Sequence, residues 1–401
     1  MGNKLGKGDL LYFDANGTTQ VHPEVQKAIC DALQHYGNPS TSSSLGKTSK
    51  ALIASSTATI LKNVFDTDAG NLIYTSCGTE SNQLAIQLVL QSYQSSHPEG
   101  PIPHILTSTI EHPATINYLR HLESLNQITL TCVRPSSSGQ VPLPTLLSSL
   151  KPTTILLTLI YAQNETGSIQ PLSEISSLLK STSPHLKIHA DASQAVGKVS
   201  CTVSGGLSGV DLITITGHKF GSPKGISLLY TSTTYPPTSS GGYILKGGGQ
   251  MNGLRSGTEN VPYIVGLSKA TEVCCNLEKE YNSIMVNFKN SLTSEIDKVV
   301  FNCNSDEEGL VNTLSIGFND IPKKITSSYI ISLCEKNGLI IAAGSACETG
   351  KGSYVLRECR VGDDIGRCTL RVSCGFWNTR EEGRRAGRIL GKVVKEIIEK
   401  G

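Results

Sequence analysis

Between residues 70 and 230 the chain alternates short β-rich runs with segments that carry apolar residues at helical spacing. NLIYTS and HILTST are two such runs, and ESNQLAIQLVLQSY between them has the helical spacing. Strand and helix in regular alternation are typical of a mostly parallel sheet covered by helices on both faces. We therefore predict an α/β fold with a seven-stranded sheet, its strands at 71–76, 104–109, 127–133, 153–161, 186–191, 211–216 and 225–231.

The C-terminal third of the chain has a different pattern. Residues 235–262 are Gly-rich without periodicity, which predicts an extended connection leading to a helix near 261–290. Beyond it we predict strands around 311–318, 338–342 and 369–374 and then a terminal helix, which together indicate a smaller α+β domain.

These patterns predict a domain organisation. A large domain is predicted over residues 21–262, and a small C-terminal domain over residues 263–401. Residues 1–20 form an N-terminal segment that we expect to pack with the small domain.

The composition excludes several classes of protein. With 38% apolar and 17% charged residues among 401, the chain can form a core and is not of the disordered type. A net charge of +2 gives no indication of nucleic-acid binding, and no run approaches the roughly 20 apolar residues of a membrane helix. MGNKLGKGDLLYF lacks a signal-peptide core, so we predict a cytoplasmic protein and leave organelle import open. The twelve cysteines include no CxxC pair, so no metal site is predicted.

Polar segments follow five of the predicted strands: TSCGTES, STIEHPA, IYAQNETG, HADASQ and TITGHK. In open parallel sheets, ligands bind beyond the carboxyl ends of the strands. The active site is therefore predicted at this edge of the sheet.

Lys219 lies at one of these strand ends, flanked by glycines in TGHKFG. It can be an ordinary surface lysine, or a lysine that forms a Schiff base with pyridoxal phosphate. Asp191, at the end of another strand, can cap a helix or pair with the protonated pyridine nitrogen of that cofactor. Such a carboxylate keeps the ring positively charged and therefore able to accept electrons.

Two further strand ends add weaker signals. At Gly78 and Thr79 a strand passes into a helix, and backbone N–H groups at a helix N-terminus suit a phosphate. An ordinary capped helix has the same sequence pattern, so both interpretations stay open. His112, in STIEHPA, can stack on a pyridine ring or serve a structural role.

The motifs TSCGTESN, TIEHPA, QNETGSIQP, HADASQAVGK, TGHKFGSPKG, GLRSGTEN and GSACETGKGSYVLR resemble those of the cysteine desulfurases and selenocysteine lyases. These are pyridoxal-phosphate enzymes of the class V aminotransferase superfamily, with the NifS/IscS-like fold type I. The resemblance runs in family order from LYFDANGTTQVHPEV to LRVSCGFWNTREE.

The resemblance implies a role for each matching residue. Lys219 would form the Schiff base, Asp191 would hold the pyridine nitrogen, Gln194 would bond the ring hydroxyl oxygen, and His112 would stack on the ring and help move protons. The other implied ligands are Gly78, Thr79, Thr216 and His218 for the phosphate, Thr258 for the phosphate of a neighbouring subunit, and Asn38, Asn164 and Arg371 for the substrate carboxylate.

Cys347 lies among small residues in IAAGSACETGKGSYV, whereas a structural cysteine usually has bulkier apolar neighbours. With L-cysteine as substrate, Lys219 would take the Cα proton and the thiolate of Cys347 would attack the substrate sulfur. The products would be a persulfide and alanine. A homodimer and a sulfur-acceptor protein, the latter for iron–sulfur assembly or thiolation, are further implied partners.

The sequence also departs from the family pattern. Cys77 stands where glycine is usual, Gly221-Ser222 replace a tyrosine-glycine pair, and NGTTQ replaces the usual ATTP. Alternatives therefore stay open: a selenocysteine lyase, an inactive scaffold of the same fold, or an aminotransferase. The GSAC segment followed by SYVLR favours the desulfurase.

Overall fold

The computed structural model describes residues 10–233, 245–303, 309–344 and 352–400. Within these residues, a short strand β1 (Leu11–Tyr12) precedes the strands of a seven-stranded central sheet, which are β2 (Asn71–Thr75), β3 (His104–Ser108), β4 (Thr129–Val133), β5 (Thr154–Ile160), β6 (Lys187–Asp191), β7 (Leu212–Thr216) and β8 (Ser227–Thr231). Their spatial order is β2-β8-β7-β6-β5-β3-β4. Strand β8 runs antiparallel to both of its neighbours, and all other pairs are parallel. The predicted α/β fold with a mostly parallel sheet is confirmed.

Helices cover both faces of this sheet. Ile105 and Leu106 are neighbours in β3 but belong to different apolar clusters, because successive side chains of a strand point to opposite faces. Leu88 packs into one cluster and Ile175 into the other. The helices in this part of the chain are α1 (Pro23–Ala32), α2 (Ser44–Ile60), α3 (Gly78–Ser96), α4 (Pro113–Ser124), α5 (Leu143–Ser148), α6 (Leu172–Thr182) and α7 (Val261–Cys274).

A second core forms around a smaller antiparallel sheet. Its elements are α8 (Glu278–Glu295), β9 (Val299–Phe301), β10 (Thr313–Phe318), α9 (Ser327–Lys336), β11 (Leu339–Ile340), α10 (Tyr354–Glu358), α11 (Asp363–Gly366), β12 (Leu370–Ser373) and α12 (Arg380–Lys400). The strand order is β12-β10-β9, and β1 pairs in parallel with β11. Leu11 and Phe13 pack into this core, so the described part of the N-terminal segment joins it. No helix in the described ranges is long and apolar enough to cross a membrane.

The single helix predicted near 261–290 is wrong, because the structure has two helices there, α7 and α8. Leu267 of α7 packs into the core of the central sheet, whereas Phe288 of α8 packs into the second core. The break at 275–277 follows from this change of packing partner, and no glycine or proline marks it in the sequence. The domain limits remain a prediction, and we propose that the boundary lies between α7 and α8.

Helices α8 and α12 cross at close range because α12 presents glycines at every fourth position, namely Gly383, Gly387 and Gly391. A Cβ added at Gly383 would lie 2.6 Å from the carbonyl oxygen of Ile284 in α8. A backbone atom of a packed helix cannot rotate away, so the glycines set the distance between the two helices.

We expect Gly383→Ala to lower the free energy of unfolding by about 1–2 kcal/mol, the overpacking cost less the gain in helix propensity. Chemical denaturation measures the change. Gly362→Ala is the matched control, because a Cβ there meets nothing within 4 Å and the backbone φ is −61°. An unchanged midpoint for Gly383→Ala would contradict the proposed close packing.

Candidate active site

The carboxyl ends of β2, β5, β6 and β7 and the start of α4 border one cavity of about 170 Å³. The cavity contains every cofactor residue that the sequence predicts except Thr258, together with Asn164 of the predicted substrate clamp. Its lining residues are Cys77, Gly78, Thr79, Asn82, His112, Ala114, Ile160, Asn164, Asp191, Ser193, Gln194, Thr216, His218 and Lys219.

Lys219 ends a single 3₁₀ turn, Gly217–Lys219, that directly follows β7. Its Nζ donates hydrogen bonds to the carbonyl oxygens of Asn16 at 2.7 Å and Gly17 at 2.9 Å. Burial, followed by the positive charge of Arg371, lowers the pKa of Lys219 to about 8. The amine therefore loses its proton more readily than an exposed lysine, as a nucleophile and base requires.

Asp191 is the last residue of β6 and is only 3% exposed. One carboxylate oxygen accepts from Asn82 Nδ2 at 2.7 Å, and the other accepts from the backbone N–H and the hydroxyl of Ser193 at 3.1 and 2.5 Å. These neutral donors fix the carboxylate without cancelling its charge. Asp191 thus presents a buried negative charge to the cavity that holds Lys219.

The N-terminus of α3 forms part of the cavity wall. Helix α3 begins at Gly78, and the preceding Cys77 makes no side-chain capping bond, so the first N–H groups stay available to an anion. A Cβ on Gly78 would collide with Thr216 Oγ1, which itself lies 2.8 Å from Ser193 Oγ. A side chain at position 78 would therefore crowd this approach.

The two histidines of the site differ in environment. His112 caps α4, and its Nδ1 accepts from the N–H of Ala114 at 3.1 Å, so a neutral ring carries its hydrogen on Nε2. Nδ1 of His218 lies 3.0 Å from the hydroxyl of Thr18. Burial, followed by the charge of Lys219, lowers the pKa of His218 to about 4. His218 is therefore a neutral hydrogen-bonding group at physiological pH.

Arg371, on β12 of the second core, lies close enough to Lys219 to lower its pKa. Its Nη2 pairs with Asp14 Oδ1 at 2.6 Å, and its Nη1 donates to the carbonyl of Asn164 at 3.3 Å. The buried Nε has no hydrogen-bond partner among the described residues. The guanidinium is thus held in place, and its Nε–H remains for a further acceptor.

Arg371 is not among the residues that line the cavity, and three further predicted residues lie elsewhere. Asn38 is exposed between α1 and α2, where its Oδ1 accepts from the N–H of Ser40 at 3.0 Å. Thr258 lines a separate cavity that it shares with Arg255. Cys347 falls outside the described residues. Their assigned roles remain predictions.

Sequence reasoning missed several side chains that support the site. Asn82 and Ser193 hold Asp191, and each stands close to a predicted residue, three after Thr79 and two after Asp191. Spacing along the first turn of α3 could have indicated Asn82, since residues three apart share a helix face. Asn16, whose carbonyl accepts from Lys219, gave no signal beyond the departure NGTTQ.

The residues present fit pyridoxal phosphate. The cavity combines a buried carboxylate, a lysine with a lowered pKa and a helix N-terminus opened by Gly78. Asn82 Oδ1 is buried without a hydrogen-bond partner in the described structure, so polar groups remain for an occupant.

Comparison with known proteins finds one matching family model and many related sequences. The profile of the family described as aminotransferase class-V matches residues 11–385. A cysteine desulfurase from Nostoc sp. (strain PCC 7120) is 33% identical over 397 residues, which cover 97% of this chain and 94% of that protein. A selenocysteine lyase from Bos taurus is 32% identical over 409 residues, which cover 93% and 90%.

Solved structures give the same result. A NifS-like protein superimposes with a TM-score of 0.84 at 27% identity, covering 96% of this chain and 100% of that one. A structure of SspA in complex with cysteine superimposes with a TM-score of 0.73 at 25% identity, covering 90% and 98%. The resemblance inferred from the motifs is confirmed.

We expect Gly78→Ala to weaken binding of pyridoxal phosphate by about tenfold or more, since the added methyl displaces Thr216 from the helix N-terminus. Titration of cofactor-free protein, followed by visible absorbance, measures the affinity. Gly362→Ala serves again as the control. Affinity equal to wild type in Gly78→Ala would show that the approach to α3 is not used.

We expect the reaction of cofactor-free protein with pyridoxal phosphate to be half-maximal near pH 8, because the neutral amine of Lys219 reacts. Arg371→Met removes a repelling charge and should move this midpoint upward by about one pH unit. Arg388→Met changes an exposed arginine of α12 and should leave the midpoint unchanged. A midpoint that stays in place in Arg371→Met would contradict the electrostatic coupling.

Proposed function

The chain belongs to the aminotransferase class-V family, and from that membership we propose that it is a pyridoxal-phosphate-dependent cysteine desulfurase. The proposed reaction converts L-cysteine to L-alanine and leaves the sulfur on Cys347 as a persulfide. The observation that carries the proposal is the convergence of Lys219, Asp191 and the start of α3 on one cavity. The cysteine desulfurase relatives support the choice of substrate.

The residues of the cavity would hold the cofactor as follows. Lys219 would bind it covalently, and Asp191 would pair with the pyridine nitrogen. Gln194 would donate to the ring oxygen, and His112 would stack on the ring. The phosphate would be bound by Gly78, Thr79, Thr216 and His218. When bound, pyridoxal phosphate supplies an electron sink for a carbanion at the substrate Cα.

Lys219 is the proposed base at Cα. Because burial and Arg371 lower its pKa to about 8, a useful fraction of the amine is neutral near physiological pH. Asn16 and Gly17 accept from Nζ through their carbonyls and so orient it. His112, with Nδ1 engaged at the start of α4, would offer Nε2 for proton movement.

The substrate carboxylate is assigned to Arg371, Asn164 and Asn38. Arg371 already contacts the carbonyl of Asn164 and keeps its buried Nε free of partners among the described residues. A planar guanidinium suits a carboxylate because its N–H groups donate in parallel. Asn38 lies in an exposed segment between α1 and α2 and would have to move toward Arg371 to contact the same carboxylate.

The sulfur transfer balances without an oxidant. The thiolate of Cys347 forms an S–S bond with the substrate sulfur while the Cβ–S bond breaks, and the carbon skeleton leaves as alanine after protonation at Cβ and Cα. A thiol plus cysteine thus give a persulfide plus alanine. The thiolate is the nucleophile, as in other cysteine chemistry.

Selenocysteine lyase is the second candidate function. The relative from Bos taurus has almost the same identity to the chain as the desulfurase from Nostoc, 32% against 33%. Side-by-side assays with cysteine and selenocysteine, measuring alanine, sulfide and selenide, separate the two. Colourless protein after reconstitution would favour the inactive scaffold instead.

The proposal extends to partners. A homodimer would bring Thr258 to the phosphate of the neighbouring site, which fits its position outside the Lys219 cavity of its own chain. A sulfur-acceptor protein would receive the persulfide for iron–sulfur assembly or thiolation, and the cytoplasm is the proposed location. Sedimentation analysis tests the dimer.

We expect Cys347→Ser to lower alanine formation from cysteine by about 100-fold or more, because serine cannot accept sulfur as a persulfide. The visible absorbance of the bound cofactor should survive. Cys30→Ser, which changes an exposed cysteine, should keep full activity. Full turnover in Cys347→Ser would refute the assignment.

A further inference from the structure

A second lysine, Lys198, lies behind the cavity lining and contacts one of the lining residues, Gln194. Lys198 is only 4% exposed, and its Nζ donates to Gln194 Oε1 at 2.7 Å and to Asn16 Oδ1 at 3.4 Å. Among the described residues no carboxylate lies within 4.0 Å of this Nζ. Burying a cation without a counter-ion is costly, so its retention calls for a functional reason.

The charged and titratable groups around Lys198 are Lys219, Arg371, His218 and the thiol of Cys374. Burial, followed by the charge of Lys219, lowers the pKa of Lys198 to about 7. Protonated or neutral, a lysine amine can still donate to an amide oxygen. Only the protonated form lacks an acceptor, so it fixes the amide oxygen toward Lys198, and this constraint weakens as the pH rises through about 7.

The contact with Lys198 decides which end of the Gln194 amide faces the cavity. The ammonium has donors and no acceptor, so it binds only the amide oxygen. The opposite end, Nε2, donates to the carbonyl of Asn16 at 2.9 Å, and the same carbonyl accepts from Lys219. The carbonyl of Asn16 thus accepts from both Gln194 and Lys219. Among the described residues, the amide oxygen of Gln194 accepts from Lys198 alone.

Asn16 joins the two lysines. Its carbonyl accepts from Lys219, and its side-chain oxygen accepts from Lys198 and from Asn312 Nδ2. It lies in the N-terminal segment. One residue of that segment thus connects the polar groups around both lysines.

We propose that Lys198 is a positioning residue for the proposed reaction: it fixes Gln194 with the amide NH₂ toward the cofactor's ring oxygen and adds positive charge beneath the Lys219 linkage. The proposal rests on the proposed function, because it assigns Gln194 to that oxygen. Lys198 itself does not line the cavity and would contact the cofactor only through Gln194.

The test is a pH titration of the visible absorbance of cofactor-loaded protein, with no substrate present. Lys198→Met removes a repelling charge and frees the Gln194 amide, and both changes favour a proton on the Lys219–cofactor linkage. We expect the apparent pKa of the chromophore to rise by about one unit. Lys395→Met, an exposed lysine of α12, should leave the titration unchanged.

A double-mutant comparison tests whether Lys198 acts through Gln194. Gln194→Ala should raise the chromophore pKa as well, and the double variant should shift by less than the sum of the single shifts, since the two residues share one interaction. Additive shifts would overturn the positioning role.

Lys198→Gln is the second variant, and it decides the matter if Lys198→Met does not fold. Its amide can still donate to Gln194 Oε1 but carries no charge. Its shift is compared with that of Lys198→Leu, which removes the donor as well as the charge: a clearly smaller shift in Lys198→Gln supports positioning, and an equal shift overturns the proposal. If wild-type protein binds no cofactor, the proposed function fails; if it does and Lys198→Met titrates like wild type, only this inference fails.

Discussion

The site depends on hydrogen bonds between Lys219 and the N-terminal segment. Lys219 follows β7 of the central sheet, whereas Asn16 and Gly17, whose carbonyls accept from its amine, follow β1, which pairs with β11 in the second core. The N–H of Asn16 also donates to Ser373 Oγ at the end of β12. The reactive amine is therefore oriented only when the two cores meet, which couples completion of the site to folding of the whole chain.

Electrostatics give the cavity its chemical character. The cationic groups Lys219, Lys198 and Arg371 lie close together, and Asp14 and Asp191 are the carboxylates that act on Lys219. Burial lowers the pKa values of both lysines. The charge of Lys219 lowers that of Lys198 further, and the charge of Arg371 lowers that of Lys219 further, whereas Asp191 is held by neutral donors. Such an arrangement favours an anionic occupant, and a phosphate-bearing cofactor with a carboxylate substrate has the required charge.

Much of the fold was predictable, because the strands of a sheet buried on both faces are short apolar runs with polar ends. Lys219 and Asp191 stand at such ends, and the structure places both on one cavity. The break between α7 and α8 was not predictable, since it arises from a change of packing partner rather than from a helix-breaking residue. Lys198 was missed because a single lysine in HADASQAVGK gives no local sign of burial. Thr258 lies apart in a single chain, as expected if its role requires a second copy.

Arg371 shows how the N-terminal segment prepares the site for substrate. A guanidinium that is 8% exposed needs a counter-charge, and Asp14 supplies it from the same segment that orients Lys219. The contact with the carbonyl of Asn164 fixes the plane of the group, and the buried Nε remains without a partner among the described residues. A substrate carboxylate would thus meet a guanidinium that is already desolvated and oriented, so little reorganisation accompanies binding. Because Asp14 and Asn16 are two residues apart, one short stretch of backbone holds both the guanidinium proposed to bind the substrate carboxylate and the amine proposed to react.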